Sequence, residues 1–498
     1  MPEKSYREWV PTQSYLLPPS PTEWLPDGHL AYFVLDVVRQ LDLSGIEESI
    51  QLKDPRGERP YNPRMMVALF VYAYSTGVYS ARRIARGTYE DVALRVIAAG
   101  EHPHFTTINQ FRLEFDGELA GLFRQGYQMC RRAGLVKLGL VALDGARILA
   151  LASKHKAMSY ARMNAEEKRI QQQIEAMFRR AQQVNEEEDR RYGERQDEED
   201  LPAEMQIQAK RLERLKAAKA ELEREAAEDR AKSLRDQAAA QEQKSRDESL
   251  PEHERRRAAT RARKSRSQAQ RLTPENADTD EQPELPLNRV PTEPDGKPKP
   301  YAQRNFTDPE SRIMVRNGAF VQAYNAQIVV DAECQVIVAH GVSNLSPDQP
   351  YFIPLVDRIF DVCEQAPGAI VADSGYYSMA NTQHAQSRSI DPYIAVGRES
   401  TTSGVPDPPT TEALQAKADM RQKLKEPTGR AIYARRKAIV EPVLGQIEQA
   451  RGFRRFSRRG QNKAGCEWGF VCFIHNLLKL FRYAAGPPNG PRLARSTG

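Results

Sequence analysis

The chain has 498 residues, 28% of them charged and 40% hydrophobic, with a formal net charge of +6. That length is enough for two or three domains, and so small a net charge puts the meaning in where the charges lie. The five cysteines share no ligand spacing, which argues against a disulfide framework or a zinc site. No leader-like apolar core follows Met1, and no apolar run nears the roughly 20 residues of a bilayer span, so a cytoplasmic protein is expected.

Residues 1–25 are proline-rich and predict an extended arm. Residues 26–133 predict an all-α N-terminal domain. His29 to Leu41 is apolar at helical spacing, Pro63-Arg64 opens a second helix with Pro near its first position, and Tyr79 to Arg86 forms a third after a turn at Gly77. An N-cap within Phe105–Asn109 leads into a helix from Gln110. Short helices with Arg82, Arg83 and Arg86 outside suit a helix-turn-helix reader of DNA; a helical packing or dimerisation domain fits as well.

From Gly134 the pattern changes. Val136, Leu138, Leu140, Val141 and Leu143 predict a buried strand ending at Asp144. Asp144-Gly145 taken alone is a hairpin turn, with Ile148, Leu149 and Leu151 returning. Lys154, His155 and Lys156 follow, and His155 fits a surface position near phosphate better than a metal site.

Residues 161–300 predict an insertion. Ile170, Ile174, Met177, Ala181 and Val184 step by alternating four and three, and Met205, Leu212, Leu215, Leu222 and Ala226 continue the rhythm. Two antiparallel coiled-coil helices joined near Gly193 to Pro202 are expected. Past about Gln241 a charged spacer is expected, then a proline-rich linker from Leu285 to Pro300.

Residues 301–485 return to α/β character. Phe320–Val330 and Gln335–Val342 predict strands joined at a turn holding Asp331, and Pro350–Glu364 an amphipathic helix. Ala369–Ala372 is a short buried strand ending at Asp373, and Pro392–Val396 a last strand. A mobile stretch at 398–408 precedes the final helices, and 486–498 is expected as a disordered tail.

The segment from Arg430 to Tyr483 packs Arg430, Arg435, Arg436, Lys437, Arg451, Arg454, Arg455, Arg458, Arg459 and Lys463 around few acids. Such a cluster is the footprint of a phosphate-rich partner, with a solvated basic helix as the alternative. Within it Glu441 interrupts the apolar run Ala438-Ile439-Val440 and Val443-Leu444, beside Pro442, and is expected to mark a break facing a core. Asp144 and Asp373 at strand ends, with Glu441 from a helix across them, would form one carboxylate cluster. Converging carboxylates repel unless cations sit among them, and a Mg²⁺ pair suits phosphodiester cleavage.

The set resembles an insertion-sequence transposase of the DDE class. It is carried by Leu143-Asp144-Gly145 with Ser153 to Tyr160, Phe306 to Met314, Ala372-Asp373-Ser374-Gly375-Tyr376, Val440-Glu441-Pro442-Val443-Leu444-Gly445-Gln446-Ile447, Arg451 to Phe456 and His475 to Lys479. Pro60 to Met65 and the following helices resemble that family's N-terminal DNA-binding region. The resemblance implies an RNase H-like mixed sheet core flanked by helices, in two parts (134–160 and 301–485), with the coiled-coil hairpin inserted. It implies Asp144, Asp373 and Glu441 as catalytic and metal-binding triad, holding two Mg²⁺ ions with Mn²⁺ able to substitute. Tyr433 and Arg436 resemble residues that hold transposon-end phosphates, one register off the common pattern, while Lys437 fits the arginine spacing. A lysine usual seven residues past the glutamate is here Glu448, with Arg451 or Arg454 as substitutes. Arg455, Lys463, Lys154 and Lys156 complete the expected DNA contacts.

The expected function is binding of terminal inverted repeats in double-stranded DNA, hydrolysis of phosphodiester bonds and joining of the 3′-hydroxyl to target DNA. The protein is expected to act as a homodimer or higher oligomer, associated with the nucleoid and with no membrane. A metal nuclease without strand transfer and an inactive or domesticated DNA-binding protein are the alternatives.

Overall fold

The computed structural model describes residues 23–52, 59–192, 203–273, 285–397 and 411–485. Most of the expected N-terminal arm, the joint at 193–202, the mobile stretch 398–408 and the tail 486–498 lie outside the described residues.

The chain opens with helices α1 (Leu30–Gln40), α2 (Ser44–Gln51), α3 (Pro63–Ser75), α4 (Ala81–Glu90), α5 (Val92–Ile97), α6 (Phe105–Glu114) and α7 (Asp116–Arg132). The start of α3 follows from its sequence: Asn62 Oδ1 accepts the Arg64 N–H at 2.8 Å, and Pro63 has no N–H to leave unpaired. The start of α6 differs from expectation. His104 caps it through Nδ1, so Phe105–Asn109 already lie inside the helix.

Next come β1 (Leu140–Leu149) and the short β2 (Ala157–Ser159), then α8 (Tyr160–Tyr192), α9 (Ala203–Arg246) and α10 (Glu252–Leu272). Leu215, Leu222 and Ala226 of α9 pack on Met163 and Ile170 of α8. Ala231 and Leu234 pack on Ala269 of α10. The region past Gln241, expected as a spacer, is therefore the end of α9 and a third helix. The reason is a seam of buried alanines, Ala258, Ala262 and Ala269, too small to register as a hydrophobic repeat yet letting two helices approach closely. The short strand β3 (Gln303–Asn305) returns the chain by pairing with β2.

The remainder holds β4 (Arg312–Arg316), β5 (Ala319–Asp331), β6 (Ile337–Ser343), α11 (Phe352–Cys363), β7 (Ala369–Ala372), α12 (Met379–Ser387) and β8 (Asp391–Ile394). Helices α13 (Thr411–Lys425), α14 (Pro427–Ala434), α15 (Arg436–Gly445) and α16 (Gln461–Ala485) follow. The main sheet runs β4-β5-β1-β7-β8, with β6 also on β5. Strands β4, β5, β6 and β1 are antiparallel neighbours, and β1, β7 and β8 are parallel. The fold is thus mixed α/β, with a mixed sheet.

Both faces of the sheet are covered, so the strands read as nearly continuous apolar runs. On β1, Ala142, Ala146 and Ile148 join a core with the N-terminal helices, α15 and α16, while Val141 and Leu143 join another with α11 and α12. The N-terminal helices thus share a core with the sheet. The helix that ties them is α16, which docks through an amide: Asn476 Oδ1 accepts from Ile337 N at 2.8 Å, and its Nδ2 donates to Ile337 O at 2.9 Å. Trp468 Nε1 donates to Gln327 O at 3.1 Å.

Replacing Asn476 by Leu would leave both Ile337 backbone groups buried without partners. Each such group costs about 1–3 kcal/mol, so denaturant unfolding should show a loss of roughly 2–6 kcal/mol. A loss below about 1 kcal/mol would mean that the amide is not the fastening point.

Candidate active site

Strand β1 does not stop at Asp144. It continues to Leu149, with Asp144 opposite Ile328 and Gly145 opposite Gln327 of β5. The hairpin alternative is excluded, since Asp144-Gly145 is mid-strand. Glycine stands at 145 because the Gln327 amide fills the space a side chain would take; a Cβ there would lie 2.2 Å from its nitrogen.

Parallel pairing of Leu143 with Ala372 sets Asp144 beside Asp373, which follows the last residue of β7. Asp373 Oδ1 accepts the Gly375 N–H at 2.8 Å, which fixes its carboxylate at the turn into Tyr376. Asp144 Oδ1 accepts the Gly145 N–H at 2.8 Å, and its Oδ2 takes a hydrogen bond from Arg436 Nη1 at 3.0 Å. Only 20% of the Asp144 side chain and 12% of the Arg436 side chain are exposed, so this ion pair is partly withdrawn from water. Burial pushes the Asp144 carboxyl above the usual range; the Gly145 N–H and Arg436 pull it down, and Asp373 and Asp348 push it up.

Asp348, which the sequence did not single out, completes this acidic neighbourhood. Its Oδ1 accepts from Asn325 Nδ2 at 2.8 Å and Gln327 Nε2 at 3.0 Å, and its Oδ2 pairs with Arg147 Nη2 at 3.0 Å. Gln327 in turn accepts from the Tyr376 hydroxyl. A Cβ on Gly375 would meet both Asp373 Oδ1, at 3.0 Å, and Asp348 Oδ2, at 3.5 Å. In the sequence Asp348 stands in Pro347-Asp348-Gln349-Pro350, where it looks like a turn residue. Only its pairing with β1 and β5 gives it another role.

Glu441 lies on α15, which also carries Arg436 and packs against β1. The expected core-facing break is not what forms. Ile439, Val440 and Val443 point inward and Glu441 is exposed. Pro442 sits inside the helix without ending it. The carbonyl it cannot serve, that of Ala438, accepts from Gln335 Nε2 at 3.0 Å, which removes the cost of the missing bond. Five residues separate Glu441 from Arg436, about 7.5 Å along a helix axis. Among the described residues no three His, Cys, Asp or Glu side chains are grouped closely enough to hold a metal ion. Asp144 and Asp373 are brought together; Glu441 shares their side of the sheet without closing a ligand set. Two carboxylates at neighbouring strands, with hard oxygen donors and mutual repulsion, match what a magnesium-sized ion takes.

The expected DNA contacts divide. Tyr433 is half-buried, with Arg436, Asp373 and Asp144 acting on its hydroxyl. Lys437, Arg455, Lys463, Lys154 and Lys156 are exposed. Arg454 is exposed too, and donates to Glu448 O at 3.1 Å and to Gln449. Arg451 is different: its guanidinium donates to Gln446 O at 3.2 Å and contacts His475 at 3.4 Å, and burial lowers it to about 10. Arg458 is buried on Asp116 and Arg112 O. Both arginines hold segments of the chain together. Glu448, in that lysine's place, pairs inward with Arg316. It lines a cleft of about 400 Å³ with Gly145, Arg147, Arg316 and Leu444.

Two family models match the chain. Residues 293–477 match a transposase DDE domain, and residues 20–114 match a transposase domain designated DUF772. Asp373 and Glu441 fall inside the first match; Asp144 and helices α8–α10 fall outside both. No curated protein and no solved structure matches the chain.

Because Asp144 binds its proton more tightly in the folded protein than in the unfolded chain, its favourable contribution is present at low pH and is lost as pH rises through the folded value. Asp144→Asn should therefore gain stability relative to the parent as pH rises above about 4, measured by urea unfolding in EDTA. Parallel stability profiles for the two proteins would contradict the assigned environment.

Proposed function

The chain belongs to the DDE-class insertion-sequence transposases, and from that premise we propose that it binds the inverted ends of its element, cleaves phosphodiester bonds and joins the 3′-hydroxyl to target DNA. The observation that carries this reading is the setting of Asp144 beside Asp373 by the parallel pairing of their strands. The strand order β6-β5-β1-β7-β8, antiparallel then parallel, supports an RNase H-like core. The packed helices α8 to α10 support the reading of the insert as a coiled-coil arm.

Asp144 and Asp373 would hold Mg²⁺, with Glu441 as the third ligand contributed by α15. The ions, when bound, supply a Lewis acid and an activated oxygen nucleophile for in-line displacement. The protein's own part is positional. The Gly145 and Gly375 N–H groups fix one oxygen of each carboxylate, and Arg436 holds the second oxygen of Asp144. Arg436 stands on Asp144 and beside the Tyr433 ring, where it neutralises the acid and can also meet a scissile phosphate. Asp348, Asn325, Gln327 and Tyr376 brace the Asp373 turn from the other side. Exposed Lys437, Arg455, Lys154 and Lys156 give a cationic rim on which the backbone of the end DNA rests.

Asp373→Asn should lower cleavage of end DNA with Mg²⁺ by roughly 100-fold or more while end binding in Ca²⁺ is kept. Glu441→Gln should do the same. Cutting by Glu441→Gln at the parental rate would remove Glu441 from the triad, and cutting by Asp373→Asn would overturn the site itself. Strand transfer of pre-cut ends separates a transposase from a nuclease that only hydrolyses.

A further inference from the structure

Helix α10 differs from the rest of the arm in its charge. Its 21 residues, EHERRRAATRARKSRSQAQRL, hold eight Arg or Lys against two Glu. Helix α9, which it packs on, mixes both signs along its length. One edge of α10 is committed to packing through Ala258, Ala262 and Ala269. On a separate face Arg257, Arg261, Lys264, Gln268 and Arg271 are all exposed. Their spacing of four, three, four and three residues places them in one stripe, with Arg263 exposed beside it. Ion pairs on this helix involve Arg256 with Glu252 and Arg266 with Glu242. Among the described residues, Arg257, Arg261, Arg263, Lys264 and Arg271 have no acidic partner.

We propose that this face of α10 is a second DNA-binding surface, which docks the phosphate backbone of a duplex without reading its sequence. The inference rests on the chain being a DNA-acting transposase and adds a contact outside both matched domains. Charge complementarity selects the occupant. The stripe runs about 21 Å along the helix axis, alongside roughly a dozen duplex phosphates at about 1.7 Å of axis each. A protein partner is the poorer fit. Protein interfaces are anchored by aromatic and apolar groups at a charge-depleted centre, and the exposed residues of α10 are Arg, Lys, Glu, His, Ser, Thr, Gln and Ala. The packing of α10 on α9, with Arg235 donating to Thr273 at 2.9 Å, makes the surface preformed. Little ordering is then lost on docking.

The test uses the full chain and a labelled random-sequence duplex, with affinity followed against salt. The variant Arg257→Gln/Arg261→Gln/Lys264→Gln/Arg271→Gln changes exposed side chains only, and circular dichroism should be unchanged. The slope of log affinity against log salt should fall by about 3–4, and binding at low salt should weaken roughly tenfold or more. A control, Lys210→Gln/Arg214→Gln/Lys216→Gln/Lys244→Gln, removes the same charge from α9 and should change the slope less. An unchanged slope in the α10 variant, or an equal loss in the control, overturns the proposal. So does a change in self-association with the slope intact, which would make this face a contact between copies. Cleavage of end DNA by the parent, run alongside, keeps the two readings apart. If the parent cuts ends and the α10 slope stays fixed, the arm proposal alone fails; if the parent binds no duplex, both fail.

Discussion

Burial of the Asp144 carboxyl, with other acids around it, is the constraint that organises the site. Register between β1 and β7 places Asp144 next to Asp373 whatever their side chains prefer. Burial and the acids around it push the Asp144 proton affinity up, and the local answers to that charge are a backbone N–H and one guanidinium. Burial, the largest of these effects, disfavours the charged form of the carboxyl. The cost is met elsewhere, by apolar cores on both faces of the sheet.

Helix α15 connects that constraint to the basic C-terminal segment. It brings Arg436 onto Asp144 and carries Glu441 on an exposed face, and Gln335 stabilises the backbone where Pro442 removes a hydrogen bond. A short π-helical stretch, Gln446–Ala450, follows, and Arg451 closes it by bonding to Gln446 O. The basic residues of this segment therefore play two parts. Arg451 and Arg458 are turned inward to hold the N-terminal helices and α16, and Lys437, Arg455 and Lys463 face solvent.

The N-terminal helices are joined to the core by a buried polar network as well as by apolar contact. Glu467 of α16 accepts from the Tyr74 hydroxyl at 3.1 Å, from Ser457 N at 2.8 Å and from Ser457 Oγ at 2.6 Å. Arg112 of α6 donates to the Tyr74 hydroxyl, the Tyr79 carbonyl and Ser457 Oγ. Arg112 Nε is left without a hydrogen-bond partner among the described residues. The network fixes how the DUF772 region sits on the sheet.

What the sequence determined by itself was whatever depends on local period and local chemistry. Alternation and apolar runs placed β5, β7 and α11; Pro63-Arg64 placed the start of α3; Asp331 was legible as a turn residue, and its carboxylate does accept the Leu138 and Glu333 N–H groups. The pairing of Asp144 with Asp373 was legible as two strand-terminal acids, although β1 runs on past Asp144 because its hydrogen-bonding partner is β5 and not its own continuation. Tertiary structure alone decided the rest. An alanine seam made α10 a helix where composition pointed to a spacer, since close helix approach leaves little trace in hydrophobicity. Arg451 turned inward, Glu441 outward, and Asp348 became part of the acidic neighbourhood, because the direction of a side chain is set by what packs across from it, and that neighbour is distant in sequence.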